Sequence, residues 1–169
     1  MKKQIQTLAF LLIFLIGLSL LLYPTFSDYW NTLNQTKAII SYSEAVKDID
    51  TAVYDEMIAR AHSYNYLLSV SGVNWEMTDE EEEEYNSILN VTDTGIMAYI
   101  EISKIGCTLP IHHGVSEEIL QRAVGHFLGS SLPVGGASTH TVLSAHRGLP
   151  SAKLFTDLDK MVVGDQFLI

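Results

Sequence analysis

An uncharged apolar run near the N-terminus constrains this chain more than any other feature. Residues 8–23 read LAFLLIFLIGLSLLLY, and Ile5 extends the apolar stretch toward the N-terminus. At about 1.5 Å of rise per residue, a helix over this run covers roughly 24 Å of a hydrocarbon core about 30 Å thick. The run therefore predicts a transmembrane helix that meets membrane lipid through residues 5–23.

Charges on the two sides of the run predict its orientation. Lys2 and Lys3 precede it, whereas Asp28 is the first charge after it and Lys37 the next basic residue. Because basic residues are retained on the cytoplasmic side, we expect a cytoplasmic N-terminus and an extracellular remainder. A cleaved signal peptide is the alternative, but residues 23–27 offer no small-x-small cleavage site. An uncleaved, single-pass anchor in the cell membrane is therefore expected.

Changes in residue pattern divide the chain into three regions. Residues 1–30 contain a cytoplasmic tip, the anchor and aromatic residues suited to the outer membrane interface. Residues 31–94 place apolar residues at helical spacing and predict an extracellular, membrane-proximal helical region. Residues 95–169 consist of short β-type runs separated by Gly and Pro, which predict a curled sheet or small barrel. The expected fold class is mainly β, with short helices, preceded by the transmembrane helix and the helical region.

Two stretches of the helical region bear on its boundaries. Residues 68–78 lose the helical period and contain the isolated Trp75, which predicts a loop. Residues 79–84 are all acidic, a composition that would suit a Ca²⁺ site. We favour a solvated helix end, because Thr78 or Asp79 can cap the helix and acidic residues suit its first turn.

Three runs within residues 95–169 have the composition of strands: IMAYIEI, TLPIHHG and THTVLSAHR. Short helices are expected after Ser116, ending near Gly125, and after Ser151. Residues 166–169 read QFLI after a Gly-Asp turn signal, which predicts the start of a further strand. A chain that stops inside an apolar strand leaves an open edge, so we expect the barrel to be incomplete.

The net charge and the single cysteine argue against a nucleic-acid-binding protein and against a domain held together by disulfides. The chain has 10 Lys and Arg against 20 Asp and Glu, a net charge of -10, and its basic residues are scattered. Nucleic acid is not expected as a partner, because phosphate binding needs clustered basic residues. Cys107 is the only cysteine, so no internal disulfide can hold an exported domain together. The extracellular part must therefore bury an apolar core.

Histidine is concentrated in one part of the sequence, at His112, His113, His126, His140 and His146. Imidazole is a common metal ligand, so a metal-dependent hydrolase is one hypothesis. The spacings match no compact ligand pattern such as H-E-x-x-H, and the lone cysteine is not part of a C-x-x-C motif. We therefore expect no bound metal and no cofactor.

The segment Ser144-Ala145-His146-Arg147 is the best placed for acid-base or nucleophilic catalysis, because it ends the apolar run TVLSA. A histidine at a strand end is held firmly and can still face a cleft. Ser144 lacks the strained elbow that exposes the serine of a hydrolase, so we expect it to be structural. From the residues alone, an ordinary hydrogen-bonded role for His146 also stays open.

The last part of the chain resembles a known family. SSLPVGGASTHTVLSAHRGLPSAKLFTDLDKMVVGDQFLI, which spans residues 130–169, is similar to the segment around the catalytic histidine of class C sortases. The preceding VSEEILQRAVGHFLGSSLP, the anchor exit LLYPTFSDYWN and the run GIMAYIEISKI resemble the same family. The resemblance covers almost the whole chain. It implies a sortase β-barrel on the outer face of a Gram-positive cell membrane.

The resemblance implies a cysteine transpeptidase that cleaves LPXTG-like sorting signals and joins pilin subunits through a lysine amine. Of the family's catalytic histidine, cysteine and arginine, only the histidine maps onto this chain, at His146, where it would protonate the departing amine. Cys107 and Arg147 stand at positions that the family does not use for catalysis. The family's cysteine and arginine follow further along, so we expect the chain as written to be truncated before them and inactive.

Two expectations remain open at the level of sequence. Class C sortases commonly carry an Asp-Pro-aromatic lid, whereas this chain has Val73-Asn74-Trp75 and no proline there, so Trp75 either is the lid aromatic or packs on the barrel. The alternative to an enzyme is a non-catalytic, membrane-anchored binding or assembly module. Such a module would pair its open strand edge with another protein.

Overall fold

The structure is a computed structural model that describes residues 2–73 and 76–169. These residues form four α-helices, four β-strands and two short 3₁₀ turns. In chain order the elements are α1 (Lys2–Lys47), α2 (Thr51–Ser71), α3 (Asp79–Ser87), β1 (Ile96–Ile102), a 3₁₀ turn (Ser103–Ile105), β2 (Cys107–His113), α4 (Glu117–Leu120), β3 (Val124–His126), β4 (Leu143–Ser144) and a second 3₁₀ turn (Leu158–Lys160).

Helix predominates over strand in the described residues, which corrects the expectation of a mainly β fold. Helices α1, α2 and α3 contain 46, 21 and 9 residues, whereas strands β1 to β4 contain 7, 7, 3 and 2. The apolar run and the helical region account for this excess. The run THTVLSAHR supplies only β4, and turns follow Ser151 in place of the expected helix. The architecture is a small mixed sheet flanked by helices.

Helix α1 is unbroken from the apolar run into the folded part of the chain. Its apolar window has a mean hydropathy of 2.5 and is not buried, so by length and composition α1 is able to cross a membrane. Beyond this window, one stripe of α1 becomes half-buried against the rest of the protein. We call it the α1 contact stripe; it comprises Pro24, Asp28, Asn31, Gln35, Tyr42 and Val46. Spacings of three, four and seven place these residues on one helix face.

Side chains of the α1 contact stripe bind backbone groups of the domain. The Asn31 amide donates to the Ser151 carbonyl oxygen (2.8 Å), and the Lys153 N–H donates to Asp28 Oδ1 (2.7 Å). The first of these bonds occupies a carbonyl oxygen that a helix after Ser151 would have used for its own first hydrogen bond. Leu154 also has a positive φ of 40°, which a right-handed helix excludes. The predicted helix is therefore replaced by turns.

The sheet has the strand order β1-β2-β3-β4. β1 and β2 are antiparallel, with Ile100 opposite Leu109, and β3 and β4 are antiparallel, with Gly125 opposite Ser144. β2 and β3 are parallel, and His113 lies opposite His126. On the other edge of β1, Glu101 forms an antiparallel bridge with Leu168. The run at residues 166–169 thus pairs as an extended segment, although at a single bridge.

The connection between β2 and β3 contains α4. As expected, Ser116 caps this helix, because its Oγ accepts from the Ile119 N–H (3.4 Å). The helix ends at Leu120 and not near Gly125, because Gly125 already belongs to β3. A Cβ at Gly125 would lie 2.5 Å from the Gly114 carbonyl oxygen, so only glycine fits where the chain returns to the sheet.

The N-terminus of α3 confirms the interpretation of the acidic run as a helix end. Thr78 Oγ1 accepts from the Glu81 N–H (3.3 Å), and Glu81 Oε2 accepts from the Thr78 N–H (2.8 Å), which is a capping box. The loop was expected to begin at Leu68, but helix α2 continues through Ser71, so the loop begins after that residue.

A buried asparagine joins α2 to the domain. Asn65 is 3% exposed; its Nδ2 donates to the Leu132 carbonyl oxygen (3.0 Å), and its Oδ1 accepts from the Leu132 N–H (2.7 Å). Leu132 is fully buried in the apolar core with Ile111 and Val124. One side chain therefore satisfies both backbone groups of a core residue.

We expect Asn65→Ala to lower the free energy of unfolding by roughly 1–3 kcal/mol, because it leaves the buried Leu132 N–H without its partner, while the Leu132 carbonyl oxygen still accepts from the Val134 N–H. Thermal unfolding of the detergent-solubilised chain would measure this loss. Asn34→Ala is the matched control, since Asn34 is exposed on α1. Equal stability of the two variants would contradict the role assigned to Asn65.

Candidate functional site

His146 lies two residues after β4, where the strand pairing ends. Ser144 is paired with Gly125 in the neighbouring strand β3, and the His146 carbonyl oxygen accepts from the Phe155 N–H (3.2 Å). The His146 side chain is 34% exposed. The backbone of this histidine is therefore held on two sides, while its ring reaches the surface.

Glu117 contacts the ring of His146 across 29 positions of sequence. His146 Nε2 lies 3.3 Å from Glu117 Oε1, and Gln121 Nε2 donates to the same oxygen (3.0 Å). The hydrogen bonds from Gln121 and then from His146 lower the pKa of the Glu117 carboxyl. Since a carboxylate only accepts, Nε2 carries the proton in this contact, which leaves Nδ1 for other partners.

Glu117 is a site residue that the sequence analysis missed. Its only signal there was its position in the first turn of a short helix, where acidic residues are common. Its contact with His146 depends on the β2-β3 crossover, which carries α4 to the end of β4. Arg147, the neighbour of His146, instead forms an exposed ion pair with Asp159 (2.9 Å).

Cys107 is the first residue of β2 and is buried. Its Sγ lies 3.9 Å from the Leu154 carbonyl oxygen, and burial raises the pKa of the thiol. Asp28 and Thr32 of α1 line the same hollow. A thiol that is buried and protonated is a poor nucleophile, and Cys107 packs as a small strand residue.

The other four histidines between residues 112 and 146 lie in different surroundings. His112, His113 and His126 are buried, and His140 is exposed. Among the residues that the structure describes, no three His, Cys, Asp or Glu side chains come together as a metal site. Trp75 lies outside the described residues, so its role as a lid stays a prediction.

His126 and Tyr85 form a buried hydrogen-bond chain. The Tyr85 hydroxyl lies 2.8 Å from His126 Nδ1, and His126 Nε2 lies 2.9 Å from the Ser131 carbonyl oxygen. Nε2 therefore donates to Ser131, and Nδ1 accepts from Tyr85, which fixes the neutral tautomer. The Tyr85 hydroxyl also accepts from the Gly114 N–H (3.2 Å). These contacts join α3 to the sheet.

His113 is buried beside this chain. Its Nε2 donates to the Ile88 carbonyl oxygen (2.7 Å), and its Nδ1 lies 3.1 Å from the carbonyl oxygen of Gly95. The rings of Tyr85 and His113 meet edge to face, with centroids 5.0 Å apart. The two histidines thus serve the packing of α3, not the site at His146.

The ordinary pKa of a histidine is 6.5, and burial lowers the pKa of His126 to about 4. The pKa of His112 is also lowered to about 4, first by burial and then by the positive charge of Arg122. The folded state therefore keeps both rings neutral at a pH where the unfolded chain takes up protons. Stability should be complete above about pH 6.5 and fall between pH 6.5 and 4.

We expect the loss at pH 4 to be on the order of 3 kcal/mol for His126. Thermal unfolding at a series of pH values would measure it in the detergent-solubilised chain. His140→Gln, at an exposed position, should leave the profile unchanged. An unfolding temperature that stays constant from pH 7 to pH 4 would contradict the neutral, buried state of these rings.

Comparisons with known proteins agree with this fold. The family model of the sortase domain matches residues 100–169. Sortase C1 of Streptococcus agalactiae is 50% identical, with a TM-score of 0.75 over 78% of this chain and 68% of that one. No curated protein matches the chain.

Two further solved structures are similar at lower identity. Sortase C of Streptococcus pneumoniae is 41% identical (TM-score 0.67), over 78% of this chain and 66% of that one. Sortase C of Clostridium perfringens, solved with the C-terminal cell wall sorting motif, is 39% identical (TM-score 0.65), over 78% and 67%.

The fold is thus that of a sortase domain. The chain belongs to the sortase family, and the solved structures it resembles are class C sortases. It spans about two thirds of the length of these structures.

Proposed function

We propose that this chain is the membrane-anchored N-terminal part of a class C sortase, a cysteine transpeptidase that cleaves LPXTG-like sorting signals and joins pilin subunits through a lysine amine. The observation that carries the proposal is the position of His146, held by backbone contacts at a strand end and open to solvent at its ring. The similarity to sortase C1 at 50% identity supports it.

In this proposal His146 is the acid-base residue. A cysteine thiolate attacks the carbonyl carbon of the Thr-Gly peptide bond, and the C–N bond breaks as the imidazolium donates its proton to the departing amine. The thioacyl intermediate then reacts with a lysine amine, which passes a proton back to the imidazole and releases the thiolate. Glu117 orients the ring through its contact with Nε2.

Cys107 is not the nucleophile in this scheme, because its thiol is buried against Leu154 and its pKa is raised. We therefore propose that the nucleophile and the substrate-binding arginine belong to the part of the family fold that follows these residues. The chain as written should be inactive. Detectable cleavage of an LPXTG peptide by the purified chain would contradict that view.

The proposed partners and location follow from the same family. The Streptococcus pneumoniae structure bears on pilin substrate specificity, and the Clostridium perfringens sortase was solved with a cell wall sorting motif. For this chain we propose pilin subunits as substrates. We also propose a single-pass anchor with the N-terminus in the cytoplasm, supported by Lys2 and Lys3 before the apolar run.

A non-catalytic binding module is the second candidate. An apolar hollow of about 480 Å³ opens beside the sheet, lined in part by Ile100, Leu143, Phe155 and Phe167. Another protein could occupy it. Monodisperse behaviour and cooperative unfolding of this chain alone would favour the module, whereas aggregation would favour an enzyme fragment with an uncovered core.

We expect His146→Ala to reduce transpeptidation by about 10²–10⁴-fold in a protein that carries this sequence together with the family's cysteine and arginine. The measurement is the rate of joining an LPXTG peptide to an amine acceptor. His140→Ala is the control and should retain activity, because His140 is exposed and lies outside the proposed machinery. Equal rates for the two variants would remove His146 from the mechanism.

Glu117→Gln tests the orienting contact in the same protein. It removes the negative charge beside His146 Nε2 but keeps the shape of the side chain. We expect a roughly tenfold decrease in kcat with little change in KM, because Glu117 acts through the imidazole and not on the peptide. Glu118→Gln is the matched control, since Glu118 lies beside Glu117 on α4 and pairs with Arg122, not with His146. A change confined to KM would contradict the orienting role.

A further inference from the structure

The domain meets α1 directly beyond its apolar segment. The groove between α1 and the loop after His146 is lined by Pro24, Asp28 and Tyr29 on the helix side, and by Leu149 and Pro150 on the loop side. No break separates this part of α1 from the apolar run, because the helix is continuous from Lys2 to Lys47. The loop after His146 therefore packs at a fixed position along the axis of α1, just beyond the apolar run.

That height is set by hydrogen bonds as well as by packing. Asp28 accepts from the Lys153 N–H, and Asn31 donates to the Ser151 carbonyl oxygen. Higher on α1, Gln35 donates to the Arg122 carbonyl oxygen (2.7 Å) and Tyr42 to that of Met97 (2.7 Å). The domain is attached along about four turns of helix, so it cannot slide or rotate freely relative to the anchor.

The distances place the loop close to lipid. At about 1.5 Å per residue, residues 24–29 lie roughly 2–9 Å beyond the end of the apolar run. The polar headgroup layer adds about 5–8 Å to each side of the hydrocarbon core. A helix tilt of about 20° shortens these heights only slightly. Leu149 and Pro150, which pack at this level, therefore fall within the headgroup layer.

Aromatic side chains of α1 mark the same layer. Tyr23, Phe26, Tyr29 and Trp30 are 57%, 67%, 63% and 66% exposed, although they are large and partly apolar. Such rings are enriched where hydrocarbon meets headgroups. Tyr29 lines the groove, whereas Tyr23, Phe26 and Trp30 lie on the other faces of α1, so the rings surround the helix at the depth where the loop packs.

We propose that the loop side of this groove, Leu149 and Pro150 together with Tyr29 of α1, is a second membrane-contacting site that rests on the headgroups of a phospholipid bilayer. It rests on the proposed anchoring of α1, and it adds that the loop following His146 touches the membrane. The candidate site then opens within a short distance of the bilayer, and a substrate must reach His146 along the membrane surface.

The test uses the full chain with Cys107→Ala as background, reconstituted in vesicles of phosphatidylcholine and phosphatidylglycerol. A single cysteine is introduced at Leu15, Pro150 or Glu44 and labelled with a nitroxide. For each label, the rate of collision with oxygen, which concentrates in lipid, is compared with the rate of collision with a nickel complex, which stays in water. Leu15 lies in the apolar run. Glu44 is the exposed control on the same helix, about 30 Å beyond the run.

We expect Leu15→Cys to collide mainly with oxygen, Glu44→Cys mainly with nickel, and Pro150→Cys to show at least a threefold lower nickel collision rate than Glu44→Cys. Lys153→Cys, also on the loop and exposed, repeats the measurement if Pro150→Cys fails to fold. Nickel collision at both loop positions equal to that at Glu44 would overturn the contact and would leave this surface free for a protein. Nickel collision at Leu15 equal to that at Glu44 would instead overturn the anchor.

Discussion

The parallel pairing of β2 with β3 is the constraint on which the candidate site depends. Parallel neighbours cannot be joined by a tight turn, so the chain must cross over between them. In this protein the crossover contains α4, and its cap at Ser116 fixes where Glu117 points. β3 then pairs with β4, whose end carries His146. The contact between Glu117 and His146 is thus a consequence of strand order.

Features that depend on neighbouring residues were predictable from sequence. The capping box at Thr78 and the cap at Ser116 require partners only three positions away, and both are present. The apolar run predicted a helix able to cross a membrane. The strand runs IMAYIEI and TLPIHHG became β1 and the core of β2, because their composition suits a buried sheet.

Features that depend on distant residues were not predictable. The bond between Asn31 and Ser151 spans 120 positions, and it is one reason why turns replace the helix expected after Ser151. Glu117 was assigned only to a helix start, since nothing in its local pattern indicates His146. The mainly β expectation was wrong because α1 and α2 are longer than the strands they precede. Tertiary contacts decided the first two of these cases, and local propensity could not anticipate them.

The contrast between His146 and the buried histidines shows how one residue type serves two purposes. His126 has both ring nitrogens bonded inside the protein, which leaves neither nitrogen for a substrate. His146 has one nitrogen on Glu117 and a ring that is one third exposed, so its other nitrogen remains available to a reacting group. An acid-base residue needs a free nitrogen and contact with its substrate. Exposure separates His146 and His140 from the three buried histidines, and His146 is the one of these two that contacts Glu117.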